Sequence, residues 1–232
     1  MAEPLAGGSE ASRARPPAPP AVKICGVTRA RDARVAESLG ASYVGMILSG
    51  GFDRSVTPHA GAGITSGLEI ETVAVLVDEP VETAVHIAET VGVAVLQLHG
   101  NEPEGLVAEL RSAGDWLVWK ALRLRVVDDL ERGIERYGTY VDGFLLEGWH
   151  PSKVGGSGES FAWDEFATAL DRFPEGVDLI AAGGLKHENV REAIEQLRPS
   201  VVDVSSGVEL EVGIKDRSLV EAFVTKVRGD VG

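Results

Sequence analysis

Residues 23–29 read Lys-Ile-Cys-Gly-Val-Thr-Arg, and the layout of the whole chain can be worked out from them. The apolar run over residues 21–25 predicts a strand, and its side-chain period of two puts Lys23 and Cys25 on one face. Gly26 lets the backbone turn. Thr28 is expected to cap a helix running to about Leu39, and Gly40 stands where such a helix would end. Cys25, the only cysteine of the chain, therefore lies at the carboxyl end of a strand that feeds a helix. In α/β folds that is where chemistry is done.

The same unit recurs downstream. Further strands are expected at 42–48, 71–77, 93–97, 116–120, 141–146, 177–181 and 200–204, with helices between them. Val81, Ala84, Val85 and Ala88 fall at helical spacing, as do Val190, Ala193, Ile194 and Leu197. Helices are also expected at 103–112, 126–137, 161–172 and 215–227, and the weakest pattern is the one near 58–67. The strands are continuously apolar, as parallel strands covered on both faces should be. Eight units in about 210 residues predict a single α/β domain over 21–232, a closed (β/α)8 TIM barrel rather than an open doubly wound sheet.

Composition narrows the function. A chain of 232 residues, 44% hydrophobic and 25% charged, suits one soluble globular domain. One cysteine excludes an intrachain disulfide. No run is long enough to span a membrane. Residues 1–20 hold five of the 11 prolines and no apolar segment of the signal-peptide kind, and are expected to form a disordered Pro/Ala-rich extension. The setting expected from these features is cytoplasmic. Because Glu3, Glu10, Arg13 and Arg15 cancel, the net charge of −14 belongs to the remainder. That balance disfavours nucleic acid, and any anionic substrate must be held by local donors.

Several residues are candidates for that work. Three small-residue clusters follow the sixth, seventh and eighth strands: Gly155–Gly158 (with Gly156, Ser157 and Gly158), Gly183–Gly184, and Ser205–Ser206–Gly207. Their backbone N–H groups can approach a phosphate closely, and the loops after the last barrel strands are the usual phosphate site. Cys25 reads as a nucleophile, a base or a buried filler; no Cys or His lies near it in sequence, so a metal site is not expected. Glu147 shares a face with Leu145, and partial burial would raise its pKa and suit it to general-acid work. Arg54 is a candidate carboxylate clamp. His99 either orients substrate or bonds within a turn. Asp203, inward by parity with Ser205, needs a partner, whether Lys23 or substrate.

Taken together, these residues resemble the phosphoribosylanthranilate isomerase family, barrel enzymes of tryptophan biosynthesis. The resemblance spans 22 to about 228. It rests on Lys23–Thr28 with Asp32-Ala33, Val75–Pro80, Gln97-Leu-His-Gly-Asn-Glu102, and Gly155–Gly158 with Phe161 and Trp163. Ala182–Leu185 with Glu188–Val190, and Val202–Glu209 with Lys215-Asp216, continue the series in order. It implies an Amadori rearrangement of N-(5′-phosphoribosyl)anthranilate to the 1-deoxyribulose phosphate, with no cofactor and no metal. The expected partner is a small phosphorylated substrate, with no nucleic acid or membrane, and the chain is expected to be a monomer or homodimer. In the family an acid opens the furanose ring and a cysteine base then takes the C2′ proton; Cys25 matches the base. Arg54 matches the arginine that contacts anthranilate, and the phosphate falls on the glycine clusters.

Two departures stand out. The family acid is an aspartate, whereas Glu147 is one methylene longer, and a shift of that kind in a preorganised site can cost roughly 10²-fold in rate. A Pro-Lys-Ser-Pro-Arg-like run is replaced by Gly50-Gly-Phe-Asp-Arg54, where Asp53 would weaken the pull of Arg54 on a carboxylate. These changes keep two other readings open: a barrel for a different sugar phosphate, and a non-catalytic binder of phosphoribosyl ligands.

Overall fold

The computed structural model describes residues 18–148 and 166–229. Most of the N-terminal extension, the cluster Gly156, Ser157 and Gly158, and the start of the helix expected at 161 lie outside the described residues. Eight strands form a closed barrel in chain order: β1 (Ala21–Ile24), β2 (Tyr43–Ile47), β3 (Glu71–Leu76), β4 (Val95–Leu98), β5 (Leu117–Leu124), β6 (Gly143–Gly148), β7 (Asp178–Ala181) and β8 (Val201–Val204). Every neighbouring pair is parallel, and β8 closes on β1 with Lys23 opposite Asp203. Helices α1 (Ala30–Ser38), α2 (Pro58–Thr65), α3 (Val81–Val91), α4 (Glu104–Ser112), α5 (Val127–Tyr137), α6 (Val190–Leu197) and α7 (Arg217–Arg228) lie between and after them, with a 3-10 turn at Thr168–Arg172.

Strand parity sorts the apolar residues into two layers. Val73, Val95, Trp119, Ala121, Leu145, Ile180 and Val201 fill the barrel interior, where the Trp119 indole meets the Tyr43 ring edge-on at 5.2 Å between centroids. Gly143 makes room for that indole, since a Cβ there would sit 2.7 Å from Trp119 Cδ1. The alternate residues, among them Ile24, Val44, Leu96 and Phe144, pack outward against the helices. Burying one such side chain is worth about 1.5–3 kcal/mol, so both faces of each strand contribute.

Local chemistry sets the connections. Pro58 at the first position of α2 and the Thr57 hydroxyl accepting from Ala60 N start a helix with a weak pattern. Gly40 follows α1 at φ +87°. Thr28, expected to cap α1, does not: Arg29 holds the N-cap position without a side-chain bond. The Thr28 hydroxyl instead donates to the Gly213 carbonyl at 2.6 Å, tying the β1 turn to a later hairpin. That hairpin, β9 (Glu209–Glu211) with β10 (Ile214–Lys215), is antiparallel and was not expected from the pattern. Strand β6 also runs on through Glu147, so this carboxylate is placed by the sheet rather than by a loop.

Candidate active site

The carboxyl ends of the strands open into one cavity whose lining includes Cys25, Arg54, Gln97, His99, Glu147 and Asp203. Gly183, Gly184, Ser205, Ser206 and Gly207 line the same cavity. The structure thus brings together every expected site residue that it describes. Gly207 is required by packing, because a Cβ there would overlap the Leu185 carbonyl, and Gly183 and Gly184 adopt φ of +85° and +68°. Both constraints bring backbone close to the cavity, which is what a phosphate grip needs.

Cys25 follows β1 and stays in the ladder through its N–H, which donates to Val204 O at 2.8 Å. Beneath it Lys23, fully buried, donates to Asp203 Oδ1 at 2.9 Å. Of the two partners open to Asp203, the structure supplies Lys23. Gly45 on the neighbouring strand leaves the space, since a Cβ there would come within 3.0 Å of Lys23 Nζ and 3.1 Å of Cys25 Sγ. Burial, with help from Asp203, pushes the Cys25 thiol up, and Lys23 and Lys215 offset only part of this. Burial alone would lower Lys23, but Asp203 and Cys25 reverse that and hold it charged.

Across the mouth, Glu147 Oε1 lies 2.8 Å from His99 Nε2. The backbone N–H of His99 donates to Leu76 O at 2.7 Å, and its Nδ1 lies 3.0 Å from the Gln97 side-chain nitrogen. The expectation that burial would raise Glu147 needs correction. Burial does push its carboxyl up, but the His99 imidazole, with Arg123 and Lys120, more than reverses the effect and leaves it below the ordinary value of 4.5. The partner sits 48 residues away, just past the end of β4, where strand parity gives no hint of it.

Arg54 is also engaged differently from the expectation. The carboxylate that holds it is Glu209 rather than its neighbour Asp53, through Nε at 2.8 Å and Nη2 at 2.6 Å. Lys215 Nζ reaches the same carboxylate at 2.8 Å and also donates to Ser205 O. Burial raises the Glu209 carboxyl, while Arg54 and Lys215 bring it below its usual range. Gly26 lets Arg54 cross the end of β1, since a Cβ there would lie 2.7 Å from Arg54 Cδ. Glu209 and Lys215 appear in the sequence resemblance without a role. Their one local signal is Gly213 in the short stretch between them, a hairpin cue too slight to stand out.

A second buried pair serves the scaffold. Lys120 donates to Leu98 O, Gly100 O and Ala121 O and pairs with Glu102 Oε2 at 3.1 Å. Glu102 Oε1 in turn accepts from Gly100 N and Asp78 N, which organises the turn after β4. Among the described residues, no group of three or more His, Cys, Asp or Glu side chains is placed to hold a metal ion. No described helix is long and apolar enough to cross a membrane.

A barrel with its polar and reactive side chains gathered at the carboxyl ends of the strands defines the class: a (β/α)8-barrel enzyme. The family model for N-(5′-phosphoribosyl)anthranilate (PRA) isomerase matches residues 22–226, and the chain belongs to this family. It is 39% identical over 210 residues to the N-(5′-phosphoribosyl)anthranilate isomerase of Thermoanaerobacter sp. (strain X514), covering 90% of this chain and 98% of that one. Mutually generated monomers of the dimeric Thermotoga maritima phosphoribosylanthranilate isomerase superpose with a TM-score of 0.80 at 35% identity, over 90% of this chain and 99% of the other. A phosphoribosyl anthranilate isomerase in complex with reduced 1-(o-carboxyphenylamino)-1-deoxyribulose 5-phosphate gives a TM-score of 0.78 at 32% identity, over the same shares of the two chains.

Proposed function

We propose that Cys25 and Glu147 are the base and the acid with which this chain isomerises N-(5′-phosphoribosyl)anthranilate to 1-(2-carboxyphenylamino)-1-deoxyribulose 5-phosphate, a step of tryptophan biosynthesis. The observation that carries the assignment is that both side chains open into one cavity, Cys25 beside the Lys23–Asp203 pair and Glu147 bonded to His99. Glu147 gives a proton to the furanose ring oxygen. The C1′–O bond breaks as the nitrogen lone pair forms a Schiff base. Cys25, as thiolate, takes the C2′ proton, and the electron pair moves into the enol, which tautomerises to the ketone.

Taken alone, the site favours a carboxylate at Glu147 and a thiol at Cys25, the reverse of what the first steps use. Substrate brings a phosphate and a carboxylate into the mouth, and like charges raise the proton affinity of a carboxyl group. The turns of Gly183–Gly184 and Ser205–Gly207, with Gly156, Ser157 and Gly158, are assigned to the phosphate. Arg54, held by Glu209 through Nε and Nη2, has its Nη1 edge for the anthranilate carboxylate. His99 orients the acid, and Asp203 with Lys23 sets the charge beneath the base.

The enzyme is proposed to work in the cytoplasm on this small phosphorylated substrate, as a monomer or homodimer. Anthranilate-type fluorescence falls as substrate generated in situ is consumed, so turnover is read directly. Wild type is expected to turn over and Glu147→Gln to lose at least about 10²-fold, with Glu147→Asp at or above the Gln level. Equal turnover in Glu147→Gln would overturn the acid assignment.

A further inference from the structure

Gln97 is 1% exposed and lies in the cavity lining, yet its Oε1 has no hydrogen-bond partner. Its amide nitrogen faces His99 Nδ1 at 3.0 Å. A donor there obliges Nδ1 to accept, which places the imidazole proton on Nε2, facing Glu147. In that arrangement the His99–Glu147 pair holds one proton. Rotating the amide by a half-turn presents Oε1 to Nδ1, which must then carry a proton, and the pair can hold two. The half-turn would put the NH2 group where Oε1 now stands unpartnered. As placed, the amide leaves its Oε1 unsatisfied, so its hydrogen bonds do not lock this orientation in.

We propose that Gln97 is a positioning residue whose amide orientation sets how many protons the His99–Glu147 pair carries, and so whether Glu147 can act as acid. The proposal rests on the reading of Glu147 as acid. It explains how a carboxylate bonded to an imidazole can still deliver a proton: the two-proton state forms when the amide turns its oxygen to Nδ1. The protons balance, because one is taken from solvent as the amide turns and one is released to the ring oxygen.

Other charged and titratable groups act on the pair by their charge or line its cavity, from several elements. Lys120 and Arg123 lie on β5, Cys25 follows β1, Arg54 lies in the loop after β2, and Asp203 lies on β8. Lys120 is committed to Glu102, Arg54 to Glu209 and Asp203 to Lys23. Exchanging Gln97 leaves those pairings in place.

The test uses full-length protein carrying 15N-labelled histidine, with His99→Asn to assign the resonance, together with the pH profile of kcat/KM. Wild type is expected to show the Nε2–H tautomer at the alkaline end. Gln97→Glu, an acceptor in either orientation, is expected to protonate Nδ1 and move the alkaline limb of the rate profile up by roughly one to three pH units. An unmoved tautomer and limb in folded Gln97→Glu would overturn the proposal. A moved tautomer with an unmoved limb would overturn the link to catalysis, whereas Glu147 as acid falls only if Glu147→Gln keeps wild-type turnover. Should the charged variant not fold, Gln97→Met is expected to show mixed tautomers, and a single Nε2–H tautomer in that variant would equally overturn it.

Discussion

Two buried lysines, Lys23 on β1 and Lys120 on β5, invite comparison. Each pairs with a carboxylate at about the same distance, 2.9 Å for Asp203 and 3.1 Å for Glu102. They differ in the face of the sheet they occupy. Lys23 points inward, beside Cys25 and the cavity, and its carboxylate partner lines that cavity. Lys120 alternates with the inward Trp119 and Ala121, so it points outward, lies 5.6 Å from the Tyr137 ring centroid and stitches backbone carbonyls together. Burial holds Lys120 below its ordinary pKa, whereas Asp203 and Cys25 outweigh burial at Lys23 and raise it. A buried ion pair is therefore not by itself a mark of chemistry. Which side of the barrel it faces decides its work.

The comparison can be broken by variants. Lys23→Met should have the largest effect, because it strands Asp203 and removes a charge that favours the Cys25 thiolate. A loss of about 3–5 kcal/mol in stability is expected together with a fall in turnover of roughly tenfold or more; urea titration and the fluorescence assay read the two separately. Lys120→Met should lose a similar stability, about 3–5 kcal/mol, while the folded enzyme keeps its rate within a few fold. Equal rate losses in the two variants would erase the distinction between inward and outward pairs.

A smaller effect is expected at the arginine clamp. Glu209→Gln removes the carboxylate that orients Arg54 and should raise KM by roughly tenfold with kcat less affected, since Arg recognition of a carboxylate depends on geometry. Smallest per group is the response to acid. Glu102, Glu147 and Glu209 are each pushed up by burial and pulled lower still by their cationic or imidazole partners. Their folded values lie below the unfolded 4.5, so the unfolded chain takes up protons first. The stabilisation is complete above that value and is lost as pH falls through the folded values. A stability profile from pH 7 downward should therefore be flat until about 4.5 and then decline.

Much of this was legible because a barrel strand has a period of two. Parity placed Lys23 with Cys25, Leu145 with Glu147 and Asp203 with Ser205, and each pair faces the barrel interior or the cavity above it. The glycines after β7 were readable as close-approach positions, and both adopt the positive φ that favours glycine. What could not be read depends on contacts across the mouth. From the turn after β4, His99 leads the groups that reverse the burial shift of Glu147, and Glu209 meets Arg54 over a separation of 155 residues. Thr28 satisfies the local rule for a cap, yet tertiary structure offers it the Gly213 carbonyl instead. Strands of two or three residues such as β9 and β10 carry too few side chains to show a period.

The central claim is that one thiol and one carboxyl on opposite sides of the mouth divide the proton transfers between them. The most direct test measures kcat/KM for Cys25→Ala and Glu147→Gln beside wild type on in-situ-generated phosphoribosylanthranilate, with the folded state verified by circular dichroism. Each variant is predicted to retain its fold and to lose at least about 10²-fold. Wild-type turnover in either one would contradict the account.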